Sequence, residues 1–109
     1  MAAGSDFPVE SENPLWGIYA AATRQDHEGR PEGGWRAEER MTREEALRAF
    51  TIDAAWAAFE EERKGSLEPG KLADFVVWSV DIVTCDAKAL LKAEAVLTVV
   101  GGTTVFERK

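Results

Sequence analysis

Apolar positions along the chain change period once, near residue 65, and that change separates two kinds of element. Leu15, Ile18, Tyr19 and Ala22 recur at helical spacing behind Asn13-Pro14, an N-capping side chain followed by a residue suited to the first helical turn. The spacing predicts a helix over about 14–24. Thr42-Arg43-Glu44-Glu45 has the form of a capping box, and Ala46, Leu47 and Phe50 supply the apolar stripe of a helix over 43–50. A second helix is expected over 53–63, ending on Arg63-Lys64-Gly65 with cations in its last turn and a glycine fit for a left-handed cap. Between the first two helices, Gln25 to Gly34 reads as an exposed loop.

From Ser66 the pattern turns to β. Pro69-Gly70 marks a turn, Ala73 to Trp78 a strand, and Ala87 to Lys92 a short helical turn. The runs Ala95–Val100 and Thr103–Glu107 flank Gly101-Gly102, whose glycines accept the positive φ angles of a tight hairpin. The expected fold is α+β: helices over about 14–24, 43–50 and 53–63, then a small, mostly antiparallel sheet, in one domain spanning 1–109. Trp16, Trp56 and Trp78 lie within apolar segments and are expected in the core.

Composition sharpens this picture. With 109 residues, 45% of them apolar, the chain holds enough hydrophobic surface to collapse rather than stay disordered. No apolar run approaches the ~20 residues of a membrane span, and Met1-Ala2-Ala3-Gly4 leads into Asp6 without the basic and apolar regions of a secretory signal. A cytoplasmic location is expected. Thirteen Lys and Arg against 20 Asp and Glu give a net charge of −7, which disfavours nucleic acid and anionic membranes as partners. The densest cationic stretch (Arg36, Arg40, Arg43, Arg48) interleaves with Glu38, Glu39, Glu44 and Glu45 and reads as an internally compensated, solvated face. Cys85 is alone, so an internal disulfide and a thiolate metal cluster are excluded.

The segment Gly65-Ser66-Leu67-Glu68-Pro69-Gly70-Lys71-Leu72-Ala73-Asp74-Phe75-Val76-Val77 resembles the C-terminal signature of the amidohydrolase superfamily of metal-dependent hydrolases. There it returns the chain from a (β/α)₈ barrel to a small β-sandwich. Val99 to Glu107 is similar to the last hairpin of that sandwich, and Gly4-Ser5-Asp6-Phe7-Pro8-Val9 to the end of the eighth barrel strand. Asn13-Pro14-Leu15, Thr23-Arg24, Gly34-Trp35 and Met41 to Leu47 look like the N-substituted formamide deformylase branch, amidohydrolase family 3. The resemblance implies that residues 1–64 are the remnant of a barrel end with its helices, and 65–109 a sandwich-derived segment. Family members run several hundred residues, so the chain corresponds to their last quarter or so.

Asp6 is the one active-site residue that the resemblance carries over, as catalytic group and metal ligand. In the family the matching Asp, at the C-terminal end of a barrel strand, contacts the metal and takes a proton from the attacking water. The alternative is that Asp6 caps a turn or the helix at Pro14. The family's metal-binding histidines have no counterpart: His27 is the only His, and it sits in the Gly-rich loop. Asp26, His27 and Glu28 are adjacent, with Glu10 and Glu12 as further conceivable helpers of Asp6, yet loop neighbours rarely converge on three preorganised ligands. No cofactor is therefore expected in this chain, whereas full-length relatives carry zinc. Trp35 could line a substrate cleft in such a relative.

Three functions remain open on these residues. One is a truncated amidohydrolase relative, inactive alone, of the class acting on non-peptide carbon–nitrogen bonds. Another is a non-catalytic interaction or assembly module, and the third a small metal-dependent hydrolase completed by oligomerisation. A homo-oligomer covering Phe50, Trp56, Phe59 and the edge of the 96–106 hairpin is expected.

Overall fold

Asn13 caps as its position predicts: its Oδ1 accepts from the Leu15 N–H at 3.0 Å, and helix α1 runs Pro14–Thr23. The computed structural model describes all 109 residues. Arg24 closes α1 from the left-handed region (φ 54°), returning its N–H to Ala20 O at 2.8 Å. After a 3-10 turn at Ala37–Glu39, α2 spans Arg43–Phe50. Its capping box is complete, with Glu45 N–H donating to Thr42 Oγ1 at 3.1 Å and Thr42 N–H to Glu45 Oε2 at 2.7 Å.

The next helix, α3, is shorter than the 53–63 of the sequence pattern: it spans Ile52–Ala57. It stops in a Schellman closure, in which Glu60 N–H reaches Ala55 O at 2.9 Å and Phe59 N–H reaches Trp56 O at 3.0 Å. The left-handed residue is Phe59 (φ 58°), not Gly65. Glu60 then gathers Arg63 and Lys64 into an ion-paired turn that carries no further helix.

Three strands follow, β1 (Phe75–Trp78), β2 (Ala95–Val100) and β3 (Thr103–Glu107), with the short helix α4 (Ala87–Leu90) between the first two. The sheet is antiparallel in the order β1-β2-β3, with Phe75 opposite Val99 and Val100 opposite Thr103. Gly101 and Gly102, both at positive φ, turn the hairpin as expected. The turn is pinned from behind. Asp74 Oδ1 accepts the Gly101 N–H at 2.7 Å, and Ala73 O accepts that of Gly102 at 3.0 Å.

The core lies among the helices. Leu15, Ile18 and Tyr19 of α1, Ala46 of α2 and Leu90 of α4 form one buried cluster, with Phe50, Trp78 and Ile82 packed on it. α1 and α2 meet where Gly17 faces the Phe50 ring so closely that a Cβ there would overlap it. Trp56 is not core: it is 67% exposed on α3, because that helix turns its Ala55 face inward and leaves the next position to solvent. Phe59 beyond it is 91% exposed. No helix is long and apolar enough to cross a membrane.

Candidate functional site

Asp6 stands in the turn Asp6-Phe7-Pro8-Val9, which its own carbonyl closes by accepting Val9 N–H at 2.9 Å. Its backbone is left-handed (φ 49°), a conformation Asp tolerates better than most residues. The carboxylate is exposed and makes no hydrogen bond or ion pair within the chain. It does not cap α1, since Asn13 does that. The Asp6 side chain thus has no structural task in this chain, which leaves it available for chemistry and offers nothing to hold it in place.

Of the residues considered with it, Asp26, His27 and Glu28 are occupied elsewhere, while the Glu10 and Glu12 carboxylates are exposed and join no group of three ligands. Asp26 Oδ1 accepts the N–H groups of Glu28 and Arg30, both at 2.9 Å, so its carboxylate ties its own loop. Those bonds, that of Arg30 above all, hold the Asp26 carboxyl below its ordinary value. The His27 ring rests edge-on against Trp16, with centroids 4.7 Å apart, and near Tyr19. Glu28 reaches Arg30 at 3.9 Å. No group of three His, Cys, Asp or Glu side chains converges anywhere in the chain. A catalytic zinc needs about three preorganised protein ligands, so the residues of this chain by themselves do not fit one.

The loop that the sequence marks only as exposed is in fact closely wired to α1. Tyr19 donates its hydroxyl to Asp26 O at 2.9 Å, and Gln25 Nε2 donates to Gly29 O and Pro31 O. Gly34 (φ 86°) brings the chain back against the Thr23 carbonyl, where any Cβ would collide with the oxygen. Trp35 then stands 59% exposed between two guanidiniums, Arg24 at 4.9 Å and Arg36 at 5.1 Å from its ring.

The compensated face expected over 36–48 is compensated only in part. Arg36 pairs with Glu39 at 3.5 Å, and Arg48 with Asp53 at 3.5 Å rather than with a neighbour on α2. Arg40 and Arg43 pair with no carboxylate. Glu45 spends its carboxylate on the N-cap, and Arg43 is drawn instead to the 82–85 loop, donating to Ile82 O at 2.7 Å and Cys85 O at 3.0 Å. Alternation of charges in the sequence could not reveal this, because the partner of Arg43 lies some forty positions away.

Comparison with known proteins places these features in a family. The amidohydrolase family's sequence pattern matches residues 1–106. The chain is 41% identical to Protein LONG AFTER FAR-RED 3 of Arabidopsis thaliana, over 97% of this chain and 18% of that one. It is 33% identical to the N-substituted formamide deformylase of Arthrobacter pascens, over 95% of this chain and 19% of that one. Among solved structures it superposes on an amidohydrolase from Thermotoga maritima with a TM-score of 0.61 at 27% identity, covering 94% of this chain and 22% of the other. The chain spans about a fifth of the length of these relatives.

Proposed function

Because the chain belongs to the amidohydrolase family, we propose that it acts as the C-terminal part of a hydrolase for non-peptide carbon–nitrogen bonds and does not hydrolyse them by itself. One observation carries the reading. A match running through residues 1–106 contains an unengaged carboxylate at the position the family resemblance marks, Asp6, and no group of three ligands that could hold a metal. In this reading Asp6 is the site residue that the segment contributes, and the groups that would complete a metal centre come from outside it. The similarity to an N-substituted formamide deformylase points to amides of that kind as the substrate class of the whole fold.

The uncovered faces favour association as the route to a complete structure. Trp56 and Phe59 on and after α3 are exposed, and β3 is exposed along its whole length with an open edge. A homo-oligomer covering them is the assembly this reading expects, and light scattering at micromolar concentration checks it: a monomer rules it out. The functional reading itself is tested by assaying the purified chain, with zinc added, on N-substituted formamides. The expected result is no turnover above background. Turnover that disappears in Asp6→Asn contradicts the proposal.

A further inference from the structure

Seven of the chain's cationic side chains are in ion pairs; of the three arginines that are not, Arg24 stacks on Trp35, and Arg40 and Arg43 border one space where the end of α1 meets the start of α2. A cavity of about 260 Å³ opens there, lined by Thr23, Gln25, Gly33, Arg40, Arg43 and Ala87 among others. In a chain with 20 Asp and Glu, none of them lines it. Lys88, also free of any ion pair, follows the lining residue Ala87, and its ammonium lies so near Gly29 that a Cβ there would meet it at 3.8 Å.

We propose that this cavity binds a small oxyanion, a phosphate or carboxylate group of a small molecule. Two guanidiniums bordering one space without a counter-charge create a positive field that water alone neutralises poorly, and a planar guanidinium matches the two oxygens of either group. The two arginines have complementary roles. Arg43 is held rigidly by the Ile82 and Cys85 carbonyls, with Cys85 Sγ at 3.8 Å, and these neutral acceptors orient its fork without cancelling its charge. Arg40 is anchored only through Nε, on Ala37 O at 3.0 Å, so its two terminal nitrogens remain free to donate. Gln25, whose amide nitrogen is committed to Gly29 O and Pro31 O, holds the loop that forms the opposite wall. The volume admits an oxyanion with several waters, each of which takes about 30 Å³ in the liquid. The cavity shares no residue with the Asp6 turn, and its charge is the same whether or not the segment is hydrolytic.

Titration of the ¹⁵N-labelled chain with inorganic phosphate, and separately with acetate, at constant ionic strength tests it. The expected result is saturable movement of the Gly33, Thr23 and Gln25 amides with a dissociation constant on the order of millimolar. Arg40→Gln should weaken binding about tenfold or more, and Arg36→Gln, whose residue does not line the cavity, should leave it unchanged. Arg43→Lys keeps the charge but loses the fork, and should weaken binding while the fold is retained. Saturation with phosphate alone identifies a phosphoryl group as the ligand, and saturation with acetate alone a carboxylate. Shifts that never saturate, or equal affinity in Arg40→Gln, overturn the proposal.

Discussion

The helical half and the sheet half of this molecule are finished to different degrees. Seven of the eight buried residues lie on helices, and only Val99 lies in the sheet. α1, α2 and α4 close on one another around Leu15, Tyr19 and Leu90, whereas β3 is exposed at every position and Phe106 remains 48% open. A three-stranded sheet is stable when one face is covered by a second layer, and here that layer is incomplete. The helices therefore stabilise the chain, and the sheet presents surface that further protein would cover. On the proposed reading Asp6 belongs with the sheet in this respect, since its exposed carboxylate has no partner within the chain.

The contrast has a direct energetic form. Leu15→Ala or Leu90→Ala should cost about 2–5 kcal/mol in urea unfolding, since each leaves a void among fully buried neighbours. Val105→Thr, on the exposed strand, should change stability by no more than about 0.5 kcal/mol. Comparable losses at the two sites would break the distinction. A subtler probe is Gly17→Ala, which in an open helix would stabilise by roughly 0.5–1 kcal/mol. Here the added Cβ meets the Phe50 ring, so it should instead destabilise by about 1–3 kcal/mol, provided that α1 and α2 are as tightly joined as described.

A modest and purely local effect concerns the cap of α2. Thr42→Ala should cost about 1 kcal/mol. The backbone N–H of Thr42 first, and then its side chain, hold the Glu45 carboxyl below its ordinary value. A carboxyl depressed in the folded state contributes stability that is present above its unfolded pKa and lost as pH falls through the folded one. Carboxyl-detected NMR should therefore find Glu45 titrating below the ordinary glutamate range, and Thr42→Ala, which removes the side-chain hydrogen bond but keeps the backbone N–H, should move the midpoint part of the way back up. An unshifted Glu45 in the parent chain would mean that the capping box is not formed in solution.

What was legible in the sequence was local. Asn13-Pro14, the Thr42–Glu45 box and Gly101-Gly102 each act through hydrogen bonds a few residues long, and each element formed where its signal stood. The end of α3 was not legible, because a Schellman closure with Phe59 at the left-handed position defies the preference for glycine there. Nor was the exposure of Trp56, which depends on whether anything lies over it. The charge reading of 36–48 failed for the same reason, as Arg43 finds its partners in the 82–85 loop. Asp6 could be picked out by resemblance alone. The left-handed turn that presents it carries no sequence signal beyond an Asp near a proline.

The chain belongs to the amidohydrolase family, and we propose that it contributes the Asp6 carboxylate without holding a metal centre of its own. Elemental analysis of the purified protein, after incubation with zinc and exhaustive dialysis, tests this most directly. Asp6 belongs to no group of three ligands, Asp26 is tied to its own loop and His27 packs on Trp16, so zinc should remain far below one ion per chain. Close to one zinc per chain, lost on Asp6→Ala, would contradict the account and revive the reading of a small metal-dependent hydrolase.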